Sequence, residues 1–394
     1  MKITNIKAIP VNIPLEAPYI WSVGLFPGTS RAVVIVETDE GITGIGEAPS
    51  HRLVDIINKE IAPRLIGKNP LLLNECELRA VPDWYVSHNT DDTSIVKAYG
   101  GVEIALWDIQ GKYYGKPIYE LLGGAFRKEI KFSEYFVYRQ SVNGVGGENS
   151  PEAVVEFCQR MHEEHGSYIF EGKVLTGNPK EEVDTFKALR EHFGDKIVLR
   201  ADANYAWSLS TARWIMRELE PLNIENYEDP VASFEDMSIL RQHTSIPFST
   251  HVPDLRRAVS LNAPDNFVVN IAALGGIKKT IEFVNACQAM GKGVWMYSGD
   301  SGIGTAAYLH VVAATQWLIH PSQCLTRFYT HDVIEEGPLV HKNNVIPVPE
   351  KPGLGVTLSE EGLAYCHQHF LEHGPLDTFE NPDHPDVYKR LPLA

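Results

Sequence analysis

From residue 130 to residue 329 the chain repeats one pattern eight times: a short β-branched or aromatic run, followed by a stretch with apolar residues at helical spacing. The runs are IKFSEYFVY, SYIFEGKV, KIVLRADA, NIENYEDP, IPFSTHV, NFVVNIA, KGVWMYS and CLTRFY. Between them lie segments such as PKEEVDTFKALREHFG and GGIKKTIEFVNACQAMG, the latter with Ile277, Ile281 and Val284 on one helical face. Strands alternating with helices pair in parallel, and about eight such units are the signature of a closed barrel. An α/β barrel is therefore expected over residues 126–334.

The chain has 394 residues, more than one ordinary small domain needs, so a second domain is expected. Residues 1–125 supply it. ITNIKAIPVNI and RAVVIVETDEGITGIGEA alternate apolar and polar residues around a DEG turn, the pattern of an antiparallel meander. The stretch VKAYGGVEIALWDIQGKYYGKPIYELLGG then turns helical, with Val102, Ala105, Leu106 and Ile109 on one face and a Gly-Gly stop. The segment from about 335 to 394 is expected to return to this α+β domain.

In parallel barrels the chemistry sits where strands end at their carboxyl side. Here the third run ends in Asp202, the fourth in Glu228 and the fifth in His251, at spacings of 228 − 202 = 26 and 251 − 228 = 23, one βα unit each. Taken singly, each acid is as readily a helix cap or an ion-pair partner, and the histidine a rim residue. Together, on neighbouring strand ends, they form a donor set for one divalent cation, and two carboxylates favour Mg²⁺ or Mn²⁺.

A formal net charge of −16 argues against a nucleic-acid partner, and an anionic substrate must then be met by local positive charge such as a bound cation. Five cysteines, scattered and without short spacings, fit a reducing compartment and no zinc cluster. With no 18-residue apolar segment and a strand-like beginning, a cytoplasmic protein with no membrane partner is expected.

AYGGVEIALWDIQGKYYGKPIYELLGG, LRADANYAW with EDP one unit later, and SGIGTAAYLH together resemble the enolase superfamily, in its mandelate racemase and muconate lactonizing enzyme branch. The pattern is most similar to acid-sugar dehydratases of the galactarate and glucarate type. The resemblance implies a modified TIM barrel, (β/α)7β, joined to an N-terminal α+β capping domain, with Asp202, Glu228 and His251 holding a catalytic Mg²⁺. It also implies proton abstraction α to a carboxylate. A cation held by two carboxylates and a neutral imidazole keeps more positive charge than one held by three carboxylates, which favours a dianionic intermediate or a second anionic group on the substrate.

Relatives carry Lys-x-Lys on the second strand, whose second lysine is the base. Here IFEGKV aligns Lys173 with that base and puts Glu171 in place of the first lysine. Glu171 is read as a substrate-hydroxyl contact or second acid/base, with a structural Glu171–Lys173 pair as the alternative. Asn270 on the sixth strand cannot take a proton and the seventh has no histidine, so two-base racemisation is disfavoured. Asp300 aligns with an acid that relatives carry before IGT, and is read as a proton donor to a leaving hydroxide, as a substrate contact, or as a helix cap. The glycines of GDSGIGTAA resemble a phosphate cradle only weakly, lacking the GK[ST] ending.

Asn204 is expected to face the mouth, and Tyr297 with Tyr135 and Ser298 are candidates to line it. By the resemblance, the loop at 18–30 governs substrate choice, and Trp21 and Phe26 would form an apolar lid. His162, His165 and His320 are expected to be structural. The expected function is a Mg²⁺-dependent sugar-acid dehydratase acting on a small carboxylate as a homo-oligomer. The alternatives are a cycloisomerase or racemase, and a non-catalytic binding barrel.

Overall fold

The computed structural model describes residues 1–82, 93–376, 381, 384 and 387–394. Three strands, β1 (Ile3–Trp21), β2 (Gly24–Thr38) and β3 (Thr43–Ala48), form an antiparallel sheet in the order β1-β2-β3. Register pairs such as Ile9↔Val33 and Ile35↔Ile45 carry the apolar alternation across it. The helix Ser94–Tyr114 lies on β3. Its approach needs glycine on both sides: a Cβ on Gly46 would stand 2.1 Å from Gly101 O, and one on Gly101 2.7 Å from Ala48 N. That explains the double glycine of AYGGVEIALW, and Gly115 at φ 65 ends the helix in the left-handed conformation.

Eight parallel strands close the barrel: β4 (Glu129–Val137), β5 (Ile169–Lys173), β6 (Val198–Asp202), β7 (Ile224–Glu228), β8 (Phe248–Thr250), β9 (Asn266–Val269), β10 (Gly293–Ser298) and β11 (Ser322–Cys324), with β11 pairing back onto β4. A helix follows each of the first seven, as in (β/α)7β. The eighth run was expected at 324–329, whereas the strand is Ser322–Cys324 and Thr326–Phe328 is a 3-10 turn. Closure onto β4 uses Ser322↔Phe132 and Gln323↔Ser133, after which the chain enters the Thr326–Phe328 turn, where the Arg327 Nε–H donates to Glu134. The stretch at 18–30 is likewise no open loop. It is the tip of the β1–β2 hairpin, with Trp21↔Gly24 as its last pair.

Carboxylates join the two domains by capping barrel helices. Glu103 accepts from Ile277 N at 2.7 Å and Lys278 N at 3.1 Å, at the start of Ile277–Ala289. Glu47 accepts from Ser301 N at 3.0 Å at the start of Gly302–Ala314, where the barrel's own Asp332 accepts from Gly302 N at 2.9 Å. The amides of GDSGIGT are thus taken by protein carboxylates, which accounts for this glycine run without a phosphate. Late in the chain, the helix Glu360–His373 packs on β1, where Pro10 O stands 2.7 Å from His367 Nδ1.

Candidate active site

Strand alternation sends Lys173, Asp202 and Glu228 into the barrel, and the register Asp202↔Glu228 puts the two acids side by side at the carboxyl end. His251 follows β8 directly, and Tyr297 near the end of β10 meets its ring edge-on at 5.3 Å. Asp229 enters the same layer because its φ of 43 turns the backbone so that two consecutive carboxylates face inward.

Lys173 Nζ lies 2.7 Å from Asp202 Oδ2 and donates to Asn204 Oδ1 at 2.5 Å. Asn204 Nδ2 donates to both Asp202 oxygens, at 2.9 and 3.0 Å, and Tyr135 OH to Oδ2 at 3.2 Å. His251 Nε2 is 2.8 Å from Glu228 Oε1. Trp21, from the hairpin tip, has its ring 5.9 Å from Lys173 Nζ. Burial pulls the Lys173 amine toward neutrality, but the Asp202 carboxylate outweighs it and holds the amine above its ordinary value. Burial also acts against a charged His251, and Glu228 overrides it, raising the imidazole to about 9. Burial pushes Asp229 up to about 7.

A cavity of about 430 Å³ opens over this layer. Lys173, Asp202, Asn204, Glu228, Asp229 and His251 line it, with Trp21 and Tyr297 on its walls. The donor chemistry suits a hard divalent cation. One ligating atom each from Glu228, Asp229 and His251 lie within 4.8 Å of one another. Glu228 Oε1 faces the His251 ring nitrogen at 2.8 Å, and both Asp229 oxygens are buried with no well-aligned hydrogen bond among the described residues. Asp202 stands in the same layer, turned toward the lysine.

Two expected site residues lie elsewhere. Glu171 points into the barrel one layer below, fully buried, where it accepts from Ser133 Oγ at 2.8 Å and Gln323 Nε2 at 2.5 Å, with Arg200 Nη1 at 3.9 Å. It forms no pair with Lys173, which turns to Asp202 instead, and it does not reach the cavity. Asp300 is also outside the cavity wall. It accepts from Arg31 Nε at 2.7 Å, Tyr308 OH at 2.6 Å and Asn270 Nδ2 at 2.7 Å, and Ser301 rather than Asp300 caps the following helix.

His162 lies by Ser167 O and His320 against Trp295, both away from the mouth, and the Ser298 side chain lies outside the described residues. Sequence reasoning missed Asp229, whose signal was the acidic doublet before Pro230. It also missed Gln323, Tyr19, Tyr205 and Leu391 on the cavity wall, for which no local signal exists.

Two family models match the chain: "Mandelate racemase / muconate lactonizing enzyme, N-terminal domain" over residues 3–123, and "Enolase C-terminal domain-like" over residues 153–362. The chain is 29% identical to a probable glucarate dehydratase of Streptomyces coelicolor, covering 94% of this chain and 92% of that one. It is 27% identical to an N-succinyl-L-Arg/Lys racemase of Bacillus cereus, covering 92% and 97%. An enolase from Pseudomonas fluorescens, crystallised with magnesium, potassium and tartrate, superimposes with a TM-score of 0.85 at 28% identity, covering 95% of this chain and 93% of that chain.

Proposed function

The chain belongs to the mandelate racemase and muconate lactonizing enzyme family of the enolase superfamily, and on that premise we propose that this enzyme is a Mg²⁺-dependent dehydratase of a sugar acid, an aldonate or aldarate. The observation that carries the reading is the bonded set Lys173–Asp202–Asn204 beside Glu228, Asp229 and His251 on one cavity floor. Asp202, Glu228 and His251 would hold the ion, with Asp229 next to them. Bound there, Mg²⁺ or Mn²⁺ would supply the positive charge that an enediolate requires.

Lys173 takes the proton α to the substrate carboxylate. Its carboxylate partner Asp202 is a proposed ligand, so the negative charge that now holds the amine up would be shared with a cation. Asn204, bonded to both, fixes the distance between base and ligand. With Asp300 committed to Arg31 and Asn270, the group that protonates the departing β-hydroxyl must line the cavity. Lys173, protonated by the first step, is the acid at hand, which makes the elimination one-faced. Glu171 acts from below, through the Gln323 amide that it shares with Glu228.

A racemase or cycloisomerase reading competes because relatives of both kinds stand at comparable identity. Asn270 argues against a second base: it is spent on Asp300 and Tyr308. The deciding experiment is a screen of mono- and diacid sugars with Mg²⁺. A 2-keto-3-deoxy acid supports dehydration, and an isobaric isomer overturns it. Solvent deuterium in recovered substrate would separate either from a binding barrel.

The five cysteines are free and buried, which supports a cytoplasmic setting, and no helix among the described residues is long and apolar enough to cross a membrane. Assembly as a homo-oligomer is part of the proposal, tested by light scattering.

A further inference from the structure

The turn after β6 carries two cavity residues in an unusual backbone. Asn204 has φ 41 and Tyr205 φ 61, the left-handed region that side chains other than glycine adopt at a cost. On one side β7 holds the turn, through Ala203 N to Glu228 O and Tyr205 N to Asp229 O, both 2.9 Å. On the other side the partner is remote in sequence. Leu393 N donates to Ala206 O at 2.6 Å, and Ser208 N donates to Ala394 O at 2.7 Å. Two such bonds make a short ladder between the far end of the chain and the loop that bears Asn204. Two residues before Leu393, Leu391 lines the cavity that contains Lys173 and is itself 37% exposed, while Leu393 packs against the barrel core.

We propose that residues 391–394 are a working part of this active site. Leu391 is a specificity-determining wall, and the ladder at Leu393 and Ala394 is a strap that keeps the Asn204–Tyr205 turn in its strained shape. Leu391 joins Trp21, Phe26 and Leu325 as an apolar flank above a polar floor, so the substrate end remote from the carboxylate meets hydrocarbon there. The accepted class is then sugar acids that turn the C–H face of their distal carbons to this flank, which favours an aldonate over an aldarate with its second carboxylate. This substrate inference rests on the carboxylate-site reading given above; the strap does not.

The two parts are tested separately. Hydrogen exchange on the metal-free protein needs no ligand. Deletion of residues 393 and 394 should speed exchange at the Ser208 amide and across 204–207 at least ten-fold, with the helix Ile277–Ala289 unchanged as the control for folding. Unaltered exchange at 204–208 overturns the strap. For the wall, Mn²⁺-loaded protein is titrated with gluconate and with glucarate, an aldonate and an aldarate of the same length. The parent should prefer gluconate, and Leu391→Ala should shrink the ratio of the two affinities about ten-fold. An unchanged ratio overturns the wall. If neither acid binds the parent, the carboxylate-site reading falls along with the wall, and the exchange result still decides the strap.

Discussion

Lys173 Nζ lies 2.7 Å from Asp202 Oδ2, with both side chains almost wholly buried. Base and proposed ligand therefore share one electrostatic unit, tied further by Asn204. Lys173→Ala should abolish proton exchange, lowering the rate of α-deuteration by about 10³-fold as followed by proton NMR in D₂O. Divalent-ion affinity should persist, because Asp202 loses only a competing ammonium. Deuteration undiminished in the variant would remove Lys173 as the base.

Glu228 and His251 bear on the ion more directly. His251→Ala and Glu228→Gln should each weaken Mn²⁺ binding at least ~10-fold by calorimetry, since each removes a donor from a set of very few. Glu228→Gln should be the more damaging. It alters a fully buried carboxylate that also takes the Gln323 amide at 2.6 Å, whereas a third of the His251 side chain is exposed. Equal Mn²⁺ affinity in parent and variants would return His251 to an ordinary rim residue.

The barrel was legible because alternation of strand and helix periods survives any detail of packing, and strand ends pointed to Asp202, Glu228 and His251 as mouth residues. What could not be read was depth. Glu171 shares the inward face with Lys173, as period two requires, yet two residues of rise drop it about 6.6 Å into a layer sealed by its neighbours. The direction of Asp300 was hidden for another reason: its partner Arg31 comes from β2 in the other domain, and nothing local to either residue announces that pairing. Asp229 was overlooked because alternation sends the residue after Glu228 outward, and only a positive φ brings it back.

Asp300 separates a structural role from a chemical one. Its carboxylate and Arg31 are both largely buried, and the next acid, Glu47, stands 3.7 Å from Arg31 Nε. Asp300→Asn should therefore destabilise the protein by about 3 kcal/mol, the scale for breaking a buried pair on one side, and lower the melting temperature measurably. In protein held well below that temperature, kcat should fall far less than in Lys173→Ala. A loss of kcat matching that of Lys173→Ala would restore Asp300 as the proton donor.

Glu182 provides a pH test at a buried carboxyl outside the cavity wall. It is fully buried on the helix Pro179–Phe193, and receives Trp207 Nε1–H at 2.8 Å and Tyr227 O–H at 2.5 Å. Burial pushes its carboxyl up to about 8, with those two donors opposing, against an ordinary value of 4.5. Its folded-state value is raised, so the folded protein binds the proton more tightly than the unfolded chain does. The stability it confers is complete below the unfolded value and is lost as pH rises through the folded one. Within that window, roughly pH 4.5 to 8, the loss approaches about 1.4 kcal/mol per pH unit for one group. Other raised acids, Glu103 among them, add to the same slope, so the measurement is a difference. Glu182→Gln keeps an acceptor for Trp207 and cannot ionise, so urea unfolding of the variant should show a shallower decline between pH 5 and pH 8 than the parent. Parallel profiles would mean that Glu182 is ionised in the folded protein, held by its two donors alone.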